Sequence, residues 1–149
     1  MHDIRFLPLP ELQRPLADKF YRAHRSAMRA KGEAQVWVAR KAQIVGALCL
    51  TPVAGGQWLT GLFVEPAERG RGVAAGLISA ALMGAEGPVW LFCEPELAGF
   101  YQRSGFVEAL ELPQALAGRL ARYRQTRPLV ALVRLEVSNP SACLDPFMR

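Results

Sequence analysis

Between Trp58 and Ala81 the chain reads WLTGLFVEPAERGRGVAAGLISAA, and no other stretch restricts the fold as much. An extended apolar run from Trp58 to Val64 breaks at Glu65-Pro66, turns through Arg69-Gly70-Arg71-Gly72, and continues as an alanine- and leucine-rich segment of helical character. That order is strand, glycine loop, helix. Such a junction aims several unpaired backbone N–H groups, and the positive end of a helix dipole, at one point in space, which suits an anion such as a pyrophosphate. Glycines let the backbone approach an anion closely, and Ala74 and Ala75 keep the first helical turn bare. On glycine spacing alone, an ordinary strand-to-helix turn fits the same residues.

The segments on either side say what kind of sheet receives this unit. Asp3 to Leu7 reads as a first strand ended by Pro8 and Pro10. From there to Lys31, Leu12, Leu16, Phe20, Ala23 and Ala27 recur at spacings of three and four, one buried helical stripe. Pro15 cannot sit mid-helix, so a short turn and then a helix starting near it is expected, with Gly32 closing the segment. Ala34–Arg40 and Gln43–Thr51, joined by Lys41-Ala42, read as an antiparallel hairpin, and the Thr51–Gly56 turn cluster leads into Trp58–Val64 as a third strand. Then the pattern alternates: helix 72–84, strand 89–93, helix 96–104, strand 106–110, an amphipathic helix 113–125 and a last strand 128–137. Hairpin strands followed by a βαβα section predict one α/β domain with a mixed sheet and helices on it. Residues 1–137 form its core, and 138–149 a tail without clear period.

At 149 residues, 51% apolar and 21% charged, the chain has the size of one domain with a single core. No apolar run reaches the roughly 18 residues that span a bilayer, and MHDIRFLPLPEL has no leader pattern, so a cytoplasmic protein with no membrane partner is expected. Cys49, Cys93 and Cys143 are odd in number and widely spaced, which fits reduced core residues better than a disulfide frame. With only His2 and His24 beside them, no metal site is expected. The net charge of +5 is local: residues 1–60 hold nine Lys/Arg against four Asp/Glu, the remainder nine against nine. A solvated basic face explains this, and nucleic acid is disfavoured because no reading element accompanies the arginines.

There is no Gly-Lys-Ser/Thr ending for a P-loop, and no G-x-G-x-x-G on a first βαβ unit. What remains is Val64-x-Pro66-x-x-Arg69-x-x-Gly72-x-Ala74, followed downstream by Phe100-Tyr101-Gln102-Arg103-Ser104-Gly105-Phe106. The first resembles the acetyl-CoA-binding signature of the GCN5-related N-acetyltransferase (GNAT) superfamily, Arg/Gln-x-x-Gly-x-Gly/Ala. The second resembles that family's Phe/Leu-Tyr-x-x-x-Gly-Phe. Both stand in the family's order, and the resemblance covers residues 1–137.

The resemblance implies a GNAT-like fold: a mixed central sheet of about six or seven strands, helices on both faces, and splayed strands at the cofactor site. It implies that Leu62-Phe63-Val64 lies on a bulged strand that parts from Val89–Cys93, and that the pantetheine arm of acetyl-CoA pairs with backbone in the gap. The pyrophosphate is then expected on the N–H groups of Arg69, Gly70, Arg71, Gly72, Val73, Ala74 and Ala75, with the Arg71 charge near it. Arg103 is expected toward the nucleotide phosphates, a solvated arginine being the alternative. A backbone N–H near Val64 is implied as the oxyanion donor, and Tyr101 as the acid that protonates the departing thiolate. For Tyr101 the alternative is a core aromatic whose hydroxyl meets a helix carbonyl.

The sequence departs from the family in two places. Many members carry an acid at the positions of Trp58 and Thr60, which by alternation share a face with Leu62 and Val64. Neither takes a proton from an ammonium, which leaves a water chain, His24, Glu65 or Glu111 as base. Glu94 stands where Asn is common, and a carboxylate accepts hydrogen bonds without donating any, so one cofactor contact is in question. The expected acceptor is an amine on a small molecule or peptide. If Arg22, Arg25 and Arg29, or Arg119, Arg122, Tyr123, Arg124 and Arg127, line its cleft, it is expected to carry an anionic group as well. A non-catalytic acetyl-CoA sensor with the same fold is the other functional class, and a homodimer is kept open as the oligomeric form.

Overall fold

The computed structural model describes residues 3–26, 28 and 32–135. Ala27, Arg29, Lys31, positions 136–137 of the last predicted strand, His2, and the tail 138–149 with Cys143 lie outside the described residues. The elements, in order, are β1 (Arg5–Pro8), a 3-10 turn (Glu11–Gln13), α1 (Arg14–Ala23), β2 (Gln35–Arg40), β3 (Ile44–Val53), β4 (Gly56–Val64), a 3-10 turn (Pro66–Glu68), α2 (Val73–Met83), β5 (Val89–Cys93), a 3-10 turn (Pro95–Leu97), α3 (Ala98–Gln102), β6 (Val107–Glu108), α4 (Gln114–Tyr123) and β7 (Val130–Arg134). They form one seven-stranded sheet ordered β1-β2-β3-β4-β5-β7-β6. Every neighbouring pair is antiparallel except β4 and β5, which run parallel around the α2 crossover.

Strand alternation sorts the core onto the two faces of this sheet. Leu48, Leu50, Leu59, Leu91 and Leu132 meet Leu77 and Ile78 of α2, with Phe100 and Tyr101 of α3 packed beside them. Val36, Val38, Ala47 and Cys49 point the other way, onto Ala17, Phe20 and Tyr21 of α1. Leu116 and Leu120 of α4 cover that second face farther along, over Trp90, Val133 and Ala131. Helices therefore flank both faces of the mixed sheet, α2 and α3 on one, α1 and α4 on the other. No helix among the described residues is long and apolar enough to cross a membrane.

Helix α1 differs from its sequence reading in phase and in length. Leu12 falls in the preceding 3-10 turn and is 96% exposed, while Ala17, Phe20 and Tyr21 form the buried stripe. Pro15 sits in the first turn, as its missing N–H requires. The helix stops at Ala23 because Arg25 turns left-handed (φ 57°): its N–H donates to Arg22 O and the Ser26 N–H to Tyr21 O, both at 2.9 Å. Those two bonds make a Schellman ending with an arginine where glycine is usual. Thr51–Val53 and Gly56 belong to the strands, so the turn cluster shrinks to Ala54-Gly55. The predicted helix 96–104 narrows to α3 behind a 3-10 turn, and the predicted strand 106–110 to β6, whose two side chains lie exposed at the sheet edge with little apolar area to bury.

Candidate functional site

β4 and β5 are paired only at Gln57↔Val89 and Trp58↔Trp90. Beyond those two pairs β4 stays with β3 up to Val64 while β5 follows β7 to Cys93, which opens a gap in the middle of the sheet. Along β4 the register shifts: Phe63 faces Ala47 and Thr60 faces Cys49, so Gly61 and Leu62 together oppose Leu48. This is a β-bulge with its first residue, Gly61, in the left-handed region (φ 68°).

The extra residue reverses the alternation and corrects one sequence expectation. Leu62 and Val64 lie on the α2 face with Leu59, whereas Trp58 packs on the α4 side and Phe63 on the α1 side of the opposite face. Trp58 and Thr60 thus do not share a face with Leu62 and Val64. The bulge also directs backbone groups. Glu65 N–H donates to Val45 O on the β3 side at 2.8 Å. Since successive strand N–H groups alternate between edges, the Val64 N–H points toward the gap.

At the end of β4 the chain enters the glycine loop. Arg69 holds it down: its Nε donates to Val64 O at 2.8 Å, its guanidinium lies 5.0 Å over the Phe63 ring, and its N–H bonds Pro66 O at 3.2 Å. The Arg69 N–H is thus engaged within the 3-10 turn that precedes the glycines. Buried Glu68 receives Lys41 Nζ at 2.8 Å and lies 3.9 Å from Arg71, tying the loop to the β2–β3 turn. Gly72 caps α2 with φ 79°, no side chain bonds the first turn, and that turn carries no acid. Val73 is buried, Ala74 half-buried and Ala75 exposed, so small side chains leave the N–H end of α2 open.

Across the gap, Tyr101 is half-buried against Phe100 and Phe106, at 5.0 and 6.0 Å between ring centres. Burial first, and Cys93 second, push its hydroxyl up to about 12, so it holds its proton at neutral pH. Glu94 follows β5 and sits 3.8 Å from Arg127. Arg103 is exposed, its guanidinium near Gly99 on the same short helix. Of the bases left open, His24 and Glu65 are brought together, Nε2 to Oε1 at 3.6 Å, on the α1 face over Phe63; Glu111 is exposed. A cavity of about 470 Å³ adjoins that pair, lined also by Lys19, Phe20 and Arg40. The later arginines are exposed, and three of them make contacts along the surface: Arg119 stacks 4.9 Å over Trp58, Arg124 Nε donates to Leu129 O, and Arg127 meets Glu94.

A family model described as an acetyltransferase (GNAT) domain matches residues 32–108. The chain belongs to the GNAT family. Acyl transfer is the reaction class that this membership carries. Comparison with curated protein sequences finds no match. Among solved structures, this GNAT chain is similar to ElaA of Escherichia coli, at 18% identity and a TM-score of 0.61, over 90% of this chain and 99% of that one. It is similar as well to an acyl-CoA N-acyltransferase from Pseudomonas aeruginosa, at 19% identity and a TM-score of 0.59, over 89% and 99%. N-acetylglutamate synthase from Neisseria gonorrhoeae, complexed with coenzyme A and N-acetyl-glutamate, aligns at 15% identity and a TM-score of 0.63. That alignment covers 91% of this chain and 35% of the synthase. Likeness at these identities shows a common GNAT fold.

One residue at the heart of this GNAT site escaped the sequence reading. Tyr21, fully buried on α1, donates its hydroxyl to Gly61 O at the bulge, 2.7 Å away. The signal was a tyrosine beside Phe20 within an otherwise apolar stripe, since a buried phenol needs a polar partner.

Proposed function

We propose that this GNAT domain is an acetyl-CoA-dependent N-acetyltransferase acting on the primary amine of a small molecule or peptide by direct attack on the thioester. The observation that carries the reading is the sheet gap beside an uncapped helix start, with Tyr101 protonated on its far side. When bound, acetyl-CoA supplies an activated acetyl thioester. Gly70, Arg71, Gly72, Val73, Ala74 and Ala75 would hold its pyrophosphate through backbone N–H groups, and Leu62, Phe63 and Val64 its pantetheine arm. Arg69 acts on the loop, not on the anion, because its side chain is engaged at Val64 O and Phe63. Val64 N–H, turned into the gap, is the oxyanion donor in this reading, and a fixed donor of this kind contributes about 10²–10³ in rate. Tyr101 is the acid for the leaving thiolate.

His24 and Glu65 are the groups we assign to the amine proton, directly or through water, since they alone of the open candidates meet one another. Glu94 supports the lip of the gap through Arg127 and does not replace an amide donor. Arg119 and Arg124 are held by uncharged partners, the Trp58 ring and Leu129 O, and keep their charge for an anionic acceptor, whereas Arg127 is paired with Glu94. Residues 1–137 act as a single catalytic domain in this proposal, with 138–149 as its tail. The test is thiol release from acetyl-CoA over a panel of small amines and amino-terminal peptides, alongside calorimetry with acetyl-CoA. Turnover on at least one amine supports the enzyme. Tight binding without turnover on any of them selects the second reading, a non-catalytic sensor, which the lack of an acid at Trp58 and Thr60 favours.

A further inference from the structure

From the contact between α1 and the bulge, we propose that Tyr21 is a positioning residue that fixes the donor geometry of β4 and thereby the rate of acyl transfer. The proposal rests on the acetyltransferase reading for its kinetic part only.

A bulge frees one residue from the ladder and is held only by what surrounds it. Here the surroundings are specific. Tyr21 reaches across from α1 with no exposed surface and donates to Gly61 O at 2.7 Å. The Cys49 thiol lies 3.9 Å from the same hydroxyl oxygen. Because the phenol proton goes to the carbonyl, the thiol proton is the one that points at the phenol oxygen, which gives a chain from β3 through α1 to β4. Burial also raises the Tyr21 hydroxyl far above its ordinary value, so it remains a donor at any working pH. On the other side, a methyl built on Gly61 would lie 3.0 Å from the Tyr21 hydroxyl and 3.2 Å from Met28 Cε, at a φ of 68° that a side chain resists. The site thus accepts the bulge and little else.

Three residues on, Arg69 Nε ties down Val64 O at 2.8 Å. Gly61 O and Val64 O are therefore both clamped by side chains from outside the sheet, and the Val64 N–H lies at the end of the segment between them. If the Gly61 clamp is released, the bulge has fewer restraints on its φ and ψ. The Val64 N–H then samples directions away from the gap, and a misaimed donor loses most of its effect on a developing oxyanion.

The test compares the full chain with its Tyr21→Phe variant. Amide hydrogen exchange over Gly61–Val64 should accelerate at least tenfold while β2 and the start of β3 keep their protection. On an amine that the wild type acetylates, kcat should fall on the order of tenfold and KM for acetyl-CoA should rise by less than that, because the loop that holds the pyrophosphate is untouched while the Gly61–Val64 backbone carries the donor and part of the pantetheine contact. Unchanged exchange over Gly61–Val64 overturns the proposal, whatever the kinetics. Changed exchange with an unchanged kcat overturns its kinetic half. Should the wild type acetylate no amine, the functional reading fails and the exchange data alone decide whether Tyr21 holds the bulge. If Tyr21→Phe does not fold, Gly61→Ala is read for the same local exchange, and its failure to loosen the segment counts against the clamp.

Discussion

Replacing Gly56 by alanine should pry open the one place where β4 and β5 meet. A Cβ on Gly56 would lie 2.2 Å from Pro88 O and 2.8 Å from Trp90 Cζ3, far inside any ordinary contact, and the nearer atom is backbone that cannot swing aside. Pro88 O is also the acceptor of Gln57 N–H at 2.9 Å. Relief of the clash therefore stretches that bond and both register pairs, Gln57↔Val89 and Trp58↔Trp90. Overpacking costs about 1–3 kcal/mol and a weakened buried hydrogen bond about 1 kcal/mol, so a loss of about 2–4 kcal/mol is expected. For a domain of this size each kcal/mol moves Tm by about 2–4 °C, which predicts a fall of about 5–15 °C in a thermal melt followed by circular dichroism. Gly84→Ala at the end of α2, where a Cβ meets nothing within 4 Å, is the matched control and should stay near the wild type. A Gly56→Ala protein melting as high as that control would refute the argument that backbone proximity at this glycine sets the apex of the gap.

Tyr101→Phe should lower kcat by about 10²-fold with little change in KM for acetyl-CoA, as loss of a general acid does. Because the hydroxyl titrates at about 12, the wild-type rate should show no alkaline decline from this group up to pH 10; a limb near pH 9 that vanishes in the variant would contradict the assignment. Tyr21, Cys49, Cys93 and Tyr101 all bind their protons more tightly in the fold than in the open chain, each chiefly through burial. The stability they lend is whole below their unfolded values and drains as pH rises past them. Tyr101 alone accounts for roughly 3 kcal/mol between pH 10 and 12. Urea midpoints should then fall steadily above about pH 9, and a midpoint that holds to pH 11 would refute the burial argument. Arg25→Gly should stabilise the protein by about 1 kcal/mol, since a glycine meets a φ of 57° without strain, measured as a higher urea midpoint at constant slope.

The strand, loop and helix around Gly70 and Gly72 were legible because each is a local matter: apolar run, breaker, bare helix start. The hairpin before them and the helices after them were legible for the same reason, and their order implied the mixed sheet. What stayed hidden depended on contacts that no residue type announces. The stop of α1 at Ala23 follows from a left-handed arginine that no cap residue announces. The phase of its buried stripe is set by which side chains reach β3, and Ala17 and Tyr21 join the expected Phe20 there in place of the equally periodic Leu12 and Leu16. The arginines near α4 are surface charge, as their sequence implies, but their contacts with the Trp58 ring, Leu129 O and Glu94 are set by the packing of α4 and the chain after it.

The bulge at Gly61-Leu62 had the largest consequence for the site, because one added residue exchanges the faces of everything beyond it. With unbroken alternation, Trp58, Thr60, Leu62 and Val64 would line one side, and a base sought there would be missing. With the bulge, Leu62 and Val64 join the face that carries Tyr101, while Phe63 turns to the face where His24 and Glu65 meet. Acid and base candidates then stand on opposite faces of the sheet, on either side of the β4 end that borders the gap. Acyl transfer asks for that division, since the amine arrives and the thiolate departs along different directions from the tetrahedral carbon, and each needs its own proton partner. Closing the gap should therefore cost activity even where Tyr101, His24 and Glu65 are all intact, which makes the widening of β4 from β5 as much a part of the proposed chemistry as any side chain.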